Sequence, residues 1–245
     1  MSINLFTIFR TIWLRSETKF LFAFSLLPLV VPLLTNSPDM EVFYVAGDNA
    51  SFSFFVNIVF QSQFKLVLPT LIFSYMIYST FRNEFNSGIM FLYKDLPKNR
   101  IFQAKLFSLM VLYCLYTLVT LCTSLIIFFL FLNKSNMLFS GDELLSREIL
   151  SIFSIFFSNL VSILIMSYTS LKTNRAATIV ISIFFVLASI LSSKMGWMGY
   201  LFPNAYISLS NVSAFTSLAA MCLLSMVYMT VFYILSYKKF KKMEF

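Results

Sequence analysis

The side chains of this chain that could do chemistry gather in one short connection: Arg82, Glu84, Phe85, Gly88, Ile89, Leu92, Pro97 and Arg100, with Lys105 just beyond. A lone acid among arginines and a lysine offers ion pairing and docking. Catalysis would need partners that are missing. The chain has no histidine, which removes His-based nucleophile triads, His metal sites and histidine proton shuttles. Cys114, Cys122 and Cys222 stand singly inside apolar stretches with no Cys-x-x-Cys pair, so they read as small buried hydrophobes rather than ligands. Among only 5 glycines no Gly-x-x-x-x-Gly-Lys-Ser/Thr loop occurs, so the chain cannot hydrolyse ATP by the P-loop mechanism. Its acids are scattered, whereas an intramembrane protease or lipid transferase needs them clustered near the interface. No catalytic residue, metal or bound cofactor is expected in this chain.

That connection is held between apolar stretches. The segment from Phe81 to Lys105 reads as a helix with Phe81, Phe85, Ile89 and Leu92 on one face, a break at Asp95 to Asn99, and re-entry into the next stretch. Leu96-Pro97 supplies the stop, because the residue before proline is pushed out of helical geometry. A spanning helix needs roughly 20 mostly apolar residues. Six stretches qualify, near Phe20 to Leu34, Lys65 to Phe81, Leu106 to Leu132, Ile149 to Tyr168, Ala176 to Ser193 and Phe215 to Tyr237. With 59% apolar residues and 31 Phe and a mean hydropathy of +0.85, the bilayer serves as the core of an all-α polytopic membrane protein.

The charges orient it. If the first charged segment is cytosolic, the inward segments hold Arg10, Arg15, Lys19, Arg82, Lys94, Lys98, Arg100, Lys105, Lys172, Arg175, Lys238, Lys239, Lys241 and Lys242, which is 14 of the 18 basic residues. The outward segments keep Lys65, Lys134, Arg147 and Lys194. The positive-inside rule then places both termini in the cytoplasm and the protein in the cell membrane. The net charge of +8 sits in short juxtamembrane runs, which anionic headgroups explain without any nucleic-acid partner. No secretory signal stands out, since the basic N-terminus lacks a small-residue cleavage site after an apolar core.

Residues 1–245 read as a single transmembrane domain with three special segments. Residues 1–19 place Leu5, Ile8, Phe9, Ile12 and Trp13 at helical spacing, an apolar arc of roughly 160° suited to a helix in the membrane interface. Residues 82–105 form the cytosolic segment. Residues 194–214 form an outer segment whose apolar run, Ser192 to Pro203, is broken by Gly and Pro, which suits re-entrant or interfacial short helices. The run Phe52 to Phe60 is too short to span, and either extends the second span outward or lies on the outer surface; Pro69 is placed to kink that span. In the fourth span Ser151, Ser154, Ser158 and Ser162, with Asn159 beside them, make a stripe that either lines a route for an amphipathic substrate or packs helices closely. No Asp, Glu, Lys or Arg falls in mid-span, which argues against an ion-driven carrier.

Glu84, Gly88, Pro97, Arg100 and Lys105, in that order and spacing, resemble the second intracellular connection of type 2 ABC exporter permeases. Six spans, an amphipathic N-terminal helix and a broken stretch between the last two spans match the same family over nearly all of the chain. Leu96-Pro97-Lys98-Asn99-Arg100 is one residue longer than the turn many members carry. The resemblance implies a permease subunit that pairs with a second permease subunit, as homo- or heterodimer, and with two separate ATPase subunits that bind ATP and Mg. It also implies that the segment Glu84 to Arg100 transmits ATPase closure to the spans. Permeases of this size resemble those for peptide toxins, bacteriocin immunity or drugs, and the richness in Phe, Ile, Asn and Lys points to an AT-rich bacterial genome. A membrane scaffold or bacteriocin-immunity protein without an ATPase partner is the competing reading.

Overall fold

The structure, a computed structural model, describes residues 5–30, 51–88, 97–132, 142–208 and 213–243, and every element within them is helical. The chain opens with α1 (Leu5–Trp13) and α2 (Ser16–Phe24). Next come α3 (Phe52–Leu66) and α4 (Leu68–Tyr78), the latter running on through a π-helical turn at Ser79–Asn83 to Glu84–Asn86. Four long helices complete the chain: α5 (Lys98–Ile127), α6 (Asp142–Lys172), α7 (Arg175–Leu191) and α8 (Ala214–Lys241). Those four are each long and apolar enough to cross a membrane, and the α3–α4 pair, bent by 58°, makes up to a fifth span. The chain is a membrane-embedded, all-helical protein.

Two of the expected spans take a different form. The first, expected near Phe20 to Leu34, is described only to Val30, as the 9-residue α2 and a 3₁₀ turn at Leu27–Val30. Pro28 lies buried in that turn; it lacks an amide and pushes Leu27 away from α-helical geometry. The carbonyls freed at the end of α2 find side chains instead. Gln63 Nε2 donates to Phe24 O at 3.0 Å and Thr123 Oγ1 to Ser25 O at 2.7 Å, so α2 is tied to α3 and α5 at the point where it stops. The second span breaks at Val67, which adopts φ 58°, a left-handed conformation costly for a β-branched residue. Pro69 then starts α4 in its first turn, where a missing amide costs nothing. Phe52 to Phe60 belongs to α3, which packs on α6 and α5.

α6 is the axis of the bundle. Every residue from Val161 to Ser167 is buried, as expected of a helix surrounded on all sides. α7 turns Thr178, Ser182, Val186 and Ser189 inward and leaves Val180, Phe184, Leu187 and Leu191 exposed. Small residues inside and large apolar ones outside is the pattern of a helix facing lipid. α8 packs chiefly along α6, and only 11% of its apolar window is buried. Between α7 and α8 the broken stretch forms three 3₁₀ helices, Ser192–Lys194, Gly196–Leu201 and Pro203–Ser208. Gly199 makes their stacking possible, because a Cβ there would sit 2.1 Å from Ser192 O.

Candidate functional site

The site starts from Glu84. In the π-helical turn that precedes it, the Glu84 amide donates to Ser79 O, five residues back, and Lys105 Nζ takes Thr80 O at 2.8 Å. The same Nζ donates to Glu84 Oε2 at 2.7 Å. Arg15 closes the other side: one guanidinium nitrogen pairs with Glu84 Oε1, and the second donates to Ser79 Oγ at 2.8 Å and Thr80 Oγ1 at 3.4 Å. The side chains of Lys105, Glu84 and Arg15 are 2%, 14% and 20% exposed, so this is an internal cluster of two cations on one carboxylate. Desolvated charge of this kind persists only when fully hydrogen-bonded, and the π turn provides the additional acceptors. π turns recur at functional positions because they reshape a helix locally.

Three elements meet there. Arg15 lies in the break between α1 and α2, and Thr18 of α2 braces that break by donating to Ile12 O at 2.7 Å. Ile8 and Ile12 are buried, 5% and 1% exposed, and α1 packs against α5. Phe9 is half-buried and stacks on Trp13, which reaches Phe22. Phe6, Trp13 and Leu14 stay exposed. The apolar face of α1 is therefore split between protein and surroundings. The side chain of Leu5 lies outside the described residues. Below the charges, Phe81, Phe102 and Phe240 form an aromatic knot with centroids 5.4 to 6.3 Å apart, joining α4, α5 and α8.

The remaining residues of the 82–105 segment fall elsewhere. Gly88, at φ 74°, ends the turn after Asn86 in a conformation that suits glycine. Pro97 is extended and starts α5. Between them, Ile89 and Leu92 lie outside the described residues. Arg82 reaches over the Phe85 ring at 5.9 Å. Arg100 is exposed and five residues from Lys105, which is about 140° around the helix. Of the motif residues, the structure brings together Glu84 and Lys105.

Arg15 was legible only as one more base on the polar side of residues 1–19. Its pairing spans 69 residues of sequence, and no local spacing signals such a contact. Other contacts place further cations of the basic segments at the same end of the bundle. Lys98 donates to Met243 O, and the Arg175 guanidinium lies 4.0 Å from the Tyr75 ring centroid.

The serine stripe of α6 is buried throughout, with Ser151, Ser154, Ser158 and Ser162 between 0% and 3% exposed. Gln61 Nε2 donates to Ser151 Oγ at 3.1 Å, Ser154 donates to Asn204 Oδ1 at 3.0 Å, and Ser158 meets Ser189 Oγ at 3.4 Å. Asn204 Nδ2 goes on to Ser189 O at 3.1 Å. This half of the stripe is a polar seam binding α6 to α3, α7 and the last 3₁₀ helix. Ser162, donating to Asn159 O at 3.1 Å, instead borders with Asn159 a central cavity of about 30 Å³, also lined by Gln63, Thr70, Tyr113 and Thr117. That volume suits one or two waters and is far too small for an amphipathic cargo. No cluster of three or more metal-ligating side chains occurs among the described residues.

No protein-family model, no curated protein and no solved structure matches the chain.

Proposed function

We propose that this chain is the membrane-spanning permease subunit of an ATP-driven exporter of the type 2 ABC family. Paired with a second permease subunit and two separate ATPase subunits, it would move an amphipathic substrate, such as a peptide, toxin, drug or lipid-like molecule, out of a bacterial cell. In this reading α2 belongs to the first of six spans, both termini are cytoplasmic, and ATP and Mg bind only to the partners. The observation that carries the proposal is the Arg15–Glu84–Lys105 cluster. It ties the N-terminal helix pair, the end of the broken span and the start of α5 into one unit, directly beside the segment the motif assigns to docking. A push on residues 82–105 would be delivered to three helices at once. The charge of Lys105 is held within that unit, and an exporter of this kind draws its energy from ATP bound by the partner chains. Isolation of the tagged full chain from its native membranes in mild detergent tests the proposal. A co-isolated protein carrying a P-loop is expected; a chain that comes out without any ATPase would favour the scaffold or immunity reading.

A further inference from the structure

Beside the ion cluster, on the outer face of the bundle, α5 and α8 diverge. Between them lies an open groove of about 860 Å³ walled by Phe107 and Met110 of α5 and Met229 and Tyr233 of α8. Its polar part is at one end. Gln103 Nε2 donates to Tyr233 Oη at 3.0 Å across the trough, and Arg100 stands at the mouth, exposed and without an ion pair among the described residues. Ile234 also lines the groove, and the side chains four and seven residues further along its face are Lys238 and Lys241, both exposed. From Arg100 to Met110 the wall rises about 15 Å at 1.5 Å per residue, which is half the thickness of a bilayer's hydrocarbon core.

We infer that this groove binds an anionic glycerophospholipid of the leaflet at the cation-rich end, with its phosphate at Arg100, Lys238 and Lys241 and an acyl chain laid between α5 and α8. Three features select that occupant. The trough is apolar and one leaflet deep. Among the described residues its mouth carries cations and no acid, which complements an anionic headgroup and repels another copy of the same basic end. The α8 wall is the least protein-covered of the four unbroken spanning helices among the described residues, so lipid reaches it without displacing a helix. The inference does not depend on the exporter reading.

A reporter in the groove tests it. In a full chain carrying Trp13→Phe and Trp197→Phe, Phe107→Trp places a single indole at a groove residue that is 54% exposed. The protein is reconstituted in vesicles containing brominated phosphatidylglycerol or, at equal mole fraction, brominated phosphatidylcholine. Quenching by the anionic lipid should exceed that by the zwitterionic one, with a relative affinity that falls roughly fivefold for each basic side chain neutralised. Arg100→Gln with Lys238→Gln should abolish the preference, and Arg100→Lys should keep it. Val180→Trp in the same background, on the exposed face of α7, should show no preference. Equal quenching at Phe107→Trp by both lipids overturns the inference. So does a preference of the same size at Val180→Trp, or weak quenching by both that rises as the protein is diluted in lipid, which would mean that a second copy fills the groove.

Discussion

At the scale of the residue, the ion cluster is asymmetric in a way that mutation can read. Glu84 is the only anion among three charges, so Glu84→Gln leaves Arg15 and Lys105 facing each other, mostly out of water. That should cost about 3 kcal/mol. Lys105→Met leaves the Arg15–Glu84 pair intact and fills much the same volume, and the loss of its bonds to Thr80 O and Glu84 Oε2 should cost about 2 kcal/mol. Thermal unfolding of both variants in detergent measures the difference, and equal losses would show that the two cations are not competing for one carboxylate. Ser158 provides a second test. Among the described residues its hydroxyl meets only Ser189, so Ser158→Ala should cost about 0.5 kcal/mol. Ser158→Leu, at a position 1% exposed, should cost about 2 kcal/mol or more through overpacking. A Ser158→Leu protein as stable as the parent, with altered substrate efflux, would restore the route reading of the stripe.

At the scale of the element, much was legible in the sequence because apolar run length and periodicity report helices directly. α5, α6, α7 and α8 lie close to where hydropathy puts them. What run length does not report is an interruption that leaves composition unchanged. Phe20 to Leu34 counts as a span by apolarity, yet the described part stops being α-helical at Phe24, where Gln63 and Thr123 take over its carbonyls. Pro69 signalled a kink correctly, while the strained residue is Val67, two positions earlier, which caps α3 and α4 at once. Glu84 and Lys105 were visible as motif positions. Their partner Arg15 was not, since its contact exists only after α1 has folded back on α5. The left-handed break predicts an unusual tolerance. Val67→Gly should be neutral or stabilising by about 1 kcal/mol as the strain is removed, whereas Val161→Gly, in fully buried helix, should cost about 3 kcal/mol. Unfolding midpoints decide it, and a similar loss in both variants would mean that Val67 stores no strain.

At the scale of the whole molecule, the proposed function turns the cationic end to the cytoplasm, as the positive-inside rule predicts. In a chain whose Cys114, Cys122 and Cys222 are replaced by alanine, Lys194→Cys should react with an impermeant thiol reagent in intact cells, and Asn174→Cys should not. Both positions are exposed, so reversed labelling would invert the orientation. The central claim is that an ATP-hydrolysing partner docks just beyond the ion cluster. Its most direct measurement places a photo-reactive amino acid at Asn86 or Ser87, both exposed at the end of the Glu84–Asn86 turn, and irradiates native membranes. Capture of a P-loop ATPase from these two positions, and not from Leu223 on the lipid-facing side of α8, is the predicted result. Membranes in which Asn86 and Ser87 capture no ATPase, or capture it no better than Leu223 does, would contradict the claim.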